Sequence, residues 1–154
     1  MKLTTAILCG LYATTASAAF DKFLGWGKRD YPCINAYSGP TDNSTLSAGS
    51  TVEIQWDLNS GRCGNTYDGA STGNYSLWLY YNPVHDLGFA NWDHQITIDN
   101  AIPPGSNSVT FSIPTDLPAD TDEMLWYLRL STYLPDAPQI PSLFNILGPI
   151  RIVE

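Results

Sequence analysis

The chain has 154 residues, with 7 Lys and Arg set against 15 Asp and Glu, for a formal net charge of −8. That length suits one ordinary domain. The acidic balance repels phosphate backbones and anionic membrane surfaces, which argues against nucleic acid and lipid headgroups as partners.

Residues 1–18 read as a secretory signal peptide. Lys2 supplies the positive start, Leu3 to Tyr12 is largely apolar, and Ala16-Ser17-Ala18 offers a small-residue cleavage site. The run is well short of the roughly 20 residues that cross a bilayer, so no membrane span is expected. Cys9 would leave with this leader. Residues 19–29, "AFDKFLGWGKR", show no strand alternation and end in the dibasic pair Lys28-Arg29. They are read as a short propeptide, cut after Arg29 by a kexin-type protease, or as an exposed tail that stays attached. The domain proper is expected over residues 30–154. It keeps only Arg62, Arg129 and Arg151 against 14 acidic residues, a formal charge of about −11.

Two cysteines remain in that domain, Cys33 and Cys63. In an oxidising compartment such a pair is normally a disulfide; free thiols or metal ligands are the rival reading. A bridge closing this loop would contribute ~3–4 kcal/mol in the chain-entropy picture. Asn43-Ser-Thr and Asn74-Tyr-Ser are N-glycosylation sequons, which suit a secreted chain.

Eleven prolines punctuate the chain too often for long helices. Short segments of period-two patterning lie between them. After a short first strand near Ile34–Tyr37, "TVEIQWD" (51–57) sets Val52, Ile54 and Trp56 against Thr51, Glu53 and Gln55. "NYSLWLYYN" (74–82) sets Tyr75, Leu77, Leu79 and Tyr81 against Ser76, Trp78 and Tyr80. "HQITID" (94–99), "SVTFSI" (108–113), "LWYLRLST" (125–132) and "LFNILGPIRIV" (143–153) complete the set. About seven antiparallel strands at this spacing predict an all-β sandwich of immunoglobulin or fibronectin III type. Trp56 and Trp126 should lie between the sheets, with Phe111 and Phe144 nearby. If the first two strands are antiparallel neighbours, Cys33 before one and Cys63 after the other share a pole, which makes their bridge natural.

The faces left over suggest a site. With Leu77, Leu79, Trp126 and Leu128 inside, the residues Trp78, Tyr80, Tyr127 and Arg129 point outward on neighbouring strands. They form either a ligand platform suited to sugar faces or a protein partner, or a satellite core covered by a loop or by the C-terminal strand.

Catalytic motifs are missing: there is no Gly-x-Ser-x-Gly, no His-Glu-x-x-His and no glycine-rich phosphate loop. No spacing singles out a carboxylate pair for glycoside hydrolysis. His85-Asp86 and Asp93-His94 could converge on a metal, but they sit among turn formers and read better as polar loop groups. Neither an enzyme nor a cofactor nor a metal is expected.

Several stretches, taken in order, resemble a known family. "SAGSTVEIQW" (47–56), "YSLWLYY" (75–81), "SVTFSIPTDLPADTDEMLWYLRL" (108–130) and "SLFNI" (142–146) are similar to successive elements of the fungal Kre/Knh-type cell-wall synthesis module. That module stands at the N-terminus of many Ser/Thr-rich, GPI-anchored fungal surface proteins. The resemblance implies an extracellular sandwich associated with cell wall or surface, and it brings no catalytic residues. The sequence ends without a Ser/Thr-rich stalk or a hydrophobic tail, so no GPI anchor is expected. The expected function is a secreted, non-catalytic binding module for wall polysaccharide or a surface protein. The alternative is an effector-like protein that binds a host protein.

Overall fold

The computed structural model describes residues 22–23, 25, 27–61, 63, 72–81, 94–118 and 125–154. Among them there are nine strands and no helix: β1 (Asp30–Tyr31), β2 (Asn35–Ser38), β3 (Thr45–Ser47), β4 (Thr51–Asp57), β5 (Tyr75–Tyr81), β6 (His94–Ile102), β7 (Ser108–Ser112), β8 (Trp126–Tyr133) and β9 (Ser142–Val153). The seven longer strands fall on the segments that the sequence pattern predicts. The other two are only two and three residues long, too short to carry a period.

The strands form a sandwich. One sheet has the order β1-β9-β8-β5-β6, with β3 joined to the far end of β9; the other is β2-β4-β7. The facing order is the immunoglobulin-type arrangement. Most neighbours are antiparallel, but β1 and β3 both run parallel to β9. These two short pieces take up hydrogen-bonding groups along β9 that would otherwise form an open edge.

The core lies between the sheets. Alternation places Tyr75, Leu77, Leu79 and Tyr81 of β5 and Trp126, Leu128 and Leu130 of β8 inward, where they meet Ile54 and Trp56 of β4 and Phe111 of β7. Trp56 and Trp126 are each only 1% exposed. The tilted ring of Tyr75 packs on Trp56 with centroids 5.1 Å apart, and Tyr81 packs on Trp126 at 5.3 Å. Aromatic pairs at such spacing add to simple area burial. One core expectation is corrected. Phe144 is buried, but it belongs to a second cluster on the outer face of the larger sheet. In β9 both Leu143 and Phe144 are apolar, so periodicity alone does not say which of them faces inward.

The Cys33–Cys63 disulfide is formed, with Cα atoms 5.4 Å apart. β2 and β4 are antiparallel neighbours with Asn35 opposite Asp57, so the residues just before one and just after the other meet at one pole. A buried disulfide of this kind is compatible with an extracellular protein. Among the described residues no helix is long and apolar enough to cross a membrane.

Candidate functional site

The outer face of the larger sheet carries the polar and aromatic side chains that alternation turns away from the core. β5 and β8 pair so that Trp78 stands opposite Arg129 and Tyr80 opposite Tyr127, and β9 continues the row with Ile146 opposite Arg129 and Phe144 opposite Ser131. The sheet therefore does bring Trp78, Tyr80, Tyr127 and Arg129 together. The open platform, however, is corrected. Tyr80, Tyr127 and Arg129 are buried, exposed by only 0%, 3% and 2%, and Trp78 alone remains half-open.

The physical reason is a second apolar cluster of Tyr80, Tyr127, Phe144 and Ile146 on this face. Tyr80 and Tyr127 stack with centroids 5.3 Å apart, and the Arg129 guanidinium lies 4.1 Å from the Phe144 ring centre. Two segments are tied down beside it. Asn43 N–H donates to the Pro149 carbonyl, and Lys22 Nζ donates to the Gly148 carbonyl and to Asp42. At the other end Asp30 accepts from Arg129 at 3.1 Å, and the Arg29 carbonyl accepts from Ser142 N–H. The described part of residues 19–29 is thus fastened to the domain.

Burial shows in the titration of these groups. Desolvation pushes the Tyr80 phenol well above its ordinary range, although the Arg129 charge pulls the other way. Tyr127 is raised too, first by burial and then by the negative charge of Asp42. Burial lowers Arg129 from the ordinary guanidinium range to about 10, while the charge and hydrogen bond of Asp30, and the charge Tyr80 carries when ionised, work against that shift. The arginine is still a cation at neutral pH, and Asp30 is its counter-charge.

Next to this covered half lies an open one. A cleft of about 470 Å³ runs from the Asp30–Arg129 pair to the end of β5. Trp78 and Tyr133 supply aromatic surface, while Asn74, Ser76, Asn100 and Ser131 supply amide and hydroxyl groups. Tyr133 is 45% exposed. Its ring lies directly over Gly73, where an added Cβ would come within 2.2 Å of the ring. A glycine is required at that position for the ring to lie flat on the backbone.

Ring faces beside neutral donors and acceptors suit the hydroxyls and apolar faces of a sugar, or a polar peptide surface. Among the described lining residues Asp30 is the one carboxylate, and it is held by Arg129. Among the described residues no group of three or more His, Cys, Asp or Glu converges to hold a metal. His85, Asp86 and Asp93 lie outside the described residues, as do residues 1–18.

The remaining predicted positions are at the surface. Asn43 is exposed in a turn with φ 63°, a conformation asparagine tolerates better than most residues. Asn74 is exposed at the rim of the cleft, and Lys28 and Arg29 are exposed in the turn before β1. Sequence reasoning missed Tyr133, Ser131, Asn100 and Asp30. The first two continue the outward alternation of Tyr127 and Arg129 along β8, so that signal was present. Asn100 needed β6 to run to Ile102, and Asp30 sat at an expected domain boundary. No protein family matches this chain, and no curated protein matches it significantly.

Proposed function

We propose that this protein is a secreted, non-catalytic binding module whose ligand is a neutral polysaccharide of cell wall or surface, taken in the cleft beside Trp78. The observation that carries the reading is the cleft's composition: two aromatic rings flanking hydroxyl and amide groups, with its one charged pair internally neutralised. An acidic domain has little attraction for anionic glycans, which favours a neutral ligand. The resemblance to the Kre/Knh-type module points the same way and rests on sequence pattern alone.

Co-sedimentation with insoluble β-glucan and chitin tests the reading. Wild-type protein should sediment with one of them, and Trp78→Ala should abolish that binding while leaving the melting temperature nearly unchanged. A Trp78→Ala protein that binds as well as wild type removes the cleft from the account. Capture of neither polysaccharide, with retention of a defined extracellular protein, would favour the effector-like alternative.

A further inference from the structure

The open half of the outer face carries a motif that the binding site has not absorbed, the N-glycosylation sequon Asn74-Tyr75-Ser76, whose asparagine and serine both line the cleft. Alternation puts Asn74, Ser76 and Trp78 on one side of the chain as it enters β5, and all three are cleft residues. The neighbouring strand fixes what lies beside them. Ser76 stands opposite Ser131 in the β5–β8 pairing, and two residues further out the same register sets Asn74 opposite Tyr133. The two chains stay joined there. Gly73 N–H donates to the Tyr133 carbonyl at 2.8 Å, and Thr132 Oγ1 lies 3.1 and 3.2 Å from the Gly73 and Asn74 carbonyls. Residues opposite each other on adjacent strands have Cβ atoms about 5 Å apart. The Asn74 backbone is thus held in place, while the residue is exposed at the rim of the cleft.

Tyr133 gives Asn74 an aromatic neighbour. Its ring lies directly over Gly73, and the residue is still 45% exposed. The cleft beyond it, about 470 Å³, falls within the roughly 300–1,000 Å³ of sites that take small ligands. Ser76, Ser131 and Asn100 offer donors and acceptors for sugar hydroxyls and N-acetyl amides, and the open ring suits the apolar face of a sugar. Asn43 has a different setting. It heads the second sequon, Asn43-Ser44-Thr45, in an exposed turn, and it is not among the residues that line the cleft.

We infer that Asn74 carries an N-glycan whose first sugars occupy this cleft, over Tyr133 and toward Trp78, so that use of the sequon decides whether the cleft takes an outside polysaccharide. Transfer from a lipid-linked oligosaccharide diphosphate joins Asn74 Nδ2 to the anomeric carbon of an N-acetylglucosamine. That carbon's bond to the diphosphate oxygen breaks, and the amide proton leaves with the lipid diphosphate. The transfer precedes folding, because Tyr75 is only 2% exposed and Ser76 is paired with Ser131 in the finished sheet. A transferase has to hold the whole sequon, and the folded strand does not release it. Once attached, the glycan starts at the cleft rim and acts at an effective concentration on the order of millimolar. Weak contacts to rings and amides then suffice to seat it and to exclude a free chain of similar sugars. The exclusion rests on the polysaccharide reading above, with binding of β-glucan or chitin belonging to the chain without this glycan; the seating of the glycan does not depend on that reading.

The test compares the full chain secreted by a eukaryotic host with the same chain exported to a bacterial periplasm, which forms disulfides and adds no such glycan. Both products carry Asn43→Asp, a residue that tolerates the turn's positive φ and leaves Asn74 as the one sequon. Peptide mass mapping should find a glycan on Asn74 in the eukaryotic product. N-acetylimidazole should label Tyr133 several-fold less in that product than in the periplasmic one, where it should label like Tyr31 and Tyr37, 42% and 57% exposed. Only the periplasmic product should sediment with β-glucan or chitin. An Asn74 peptide without glycan, or a Tyr133 that labels equally in both products, overturns the inference. Equal sedimentation of both products overturns the exclusion. Sedimentation of neither, with Tyr133 shielded in the glycosylated product, upholds the seated glycan and removes the polysaccharide reading instead.

Discussion

The two faces of the larger sheet are built from the same strands and have different fates. On the inner face every inward step of alternation meets the second sheet, so Leu77, Leu79, Trp126 and Leu128 are buried by partners the fold itself supplies. On the outer face the same alternation yields Trp78, Tyr80, Tyr127 and Arg129, and the outcome differs along a single strand. Trp78 lines an open cleft; Tyr80, two residues on, is sealed. Periodicity says which residues share a face, and it is silent about what lies on top of that face.

The largest effect should come from the inner face. Trp126→Ala or Trp56→Ala should destabilise the domain by ~3–5 kcal/mol, because a large ring is removed from a packed interior that can only partly collapse. Chemical denaturation checks this directly; a loss under about 1 kcal/mol would mean that the ring is not confined between two sheets. Cys33→Ser should cost about 3–4 kcal/mol by freeing the loop that the bridge closes. Its melting point should fall by many degrees, and an unchanged one would show the pair to be reduced in solution.

On the outer face Asp30→Ala should cost about 3 kcal/mol, since it leaves the buried Arg129 charge without its partner. Replacing both together, Asp30→Leu with Arg129→Met, should recover most of that loss, because an apolar pair needs no desolvation of charge. If the double variant is no better than the single one, the site depends on the charges themselves. Trp78→Ala, at the open end of the same face, should change stability by less than about 1 kcal/mol.

Alkaline pH sharpens the contrast further. Unfolded tyrosines ionise near 10.0, whereas Tyr80 and Tyr127 hold their protons to higher pH. Above that value the unfolded chain has lost protons that the folded one keeps, so stability falls as pH rises. Arg129 works in the opposite sense. Its folded value of about 10 lies below the ordinary guanidinium range, so above about 10 the unfolded chain holds more protons and stability gains as pH rises. Two tyrosines outweigh one arginine, and net stability should decline. The tyrosinate absorbance near 295 nm should show these two groups appearing with the unfolding transition. Titration of all tyrosines as one group in a still-folded domain would contradict their burial.

The sandwich was legible because β4, β5, β7 and β8 alternate cleanly, and alternation held over seven residues, as in Thr51–Asp57, fits a half-buried strand and no helix. The bridge was legible for the same reason, because antiparallel pairing of the first two long strands brings Cys33 and Cys63 to one pole. What escaped was non-local. β1 and β3 are too short to carry a pattern, and they exist because β9, distant in sequence, has groups to pair with them. The layer of Phe144 was hidden because β9 is apolar on both faces. The sealing of Tyr80 and Tyr127 was hidden because nothing in their own strands says that Phe144 and Ile146 of β9 pack beside them. Trp78 and Arg129 were legible as neighbours, but Asp30, the partner that fixes the charge of the site, comes from the segment expected to mark a boundary.

The most direct measurement follows the tryptophan indole N–H signals by NMR while β-glucan or chitin oligosaccharides are added to the folded protein. The open cleft predicts that Trp78 shifts with one of these sugars while Trp56 and Trp126, sealed between the sheets, stay in place. Sugar binding that leaves Trp78 unmoved, or a Trp78 signal untouched by either sugar at millimolar concentration, would contradict the assignment of this cleft as the binding site.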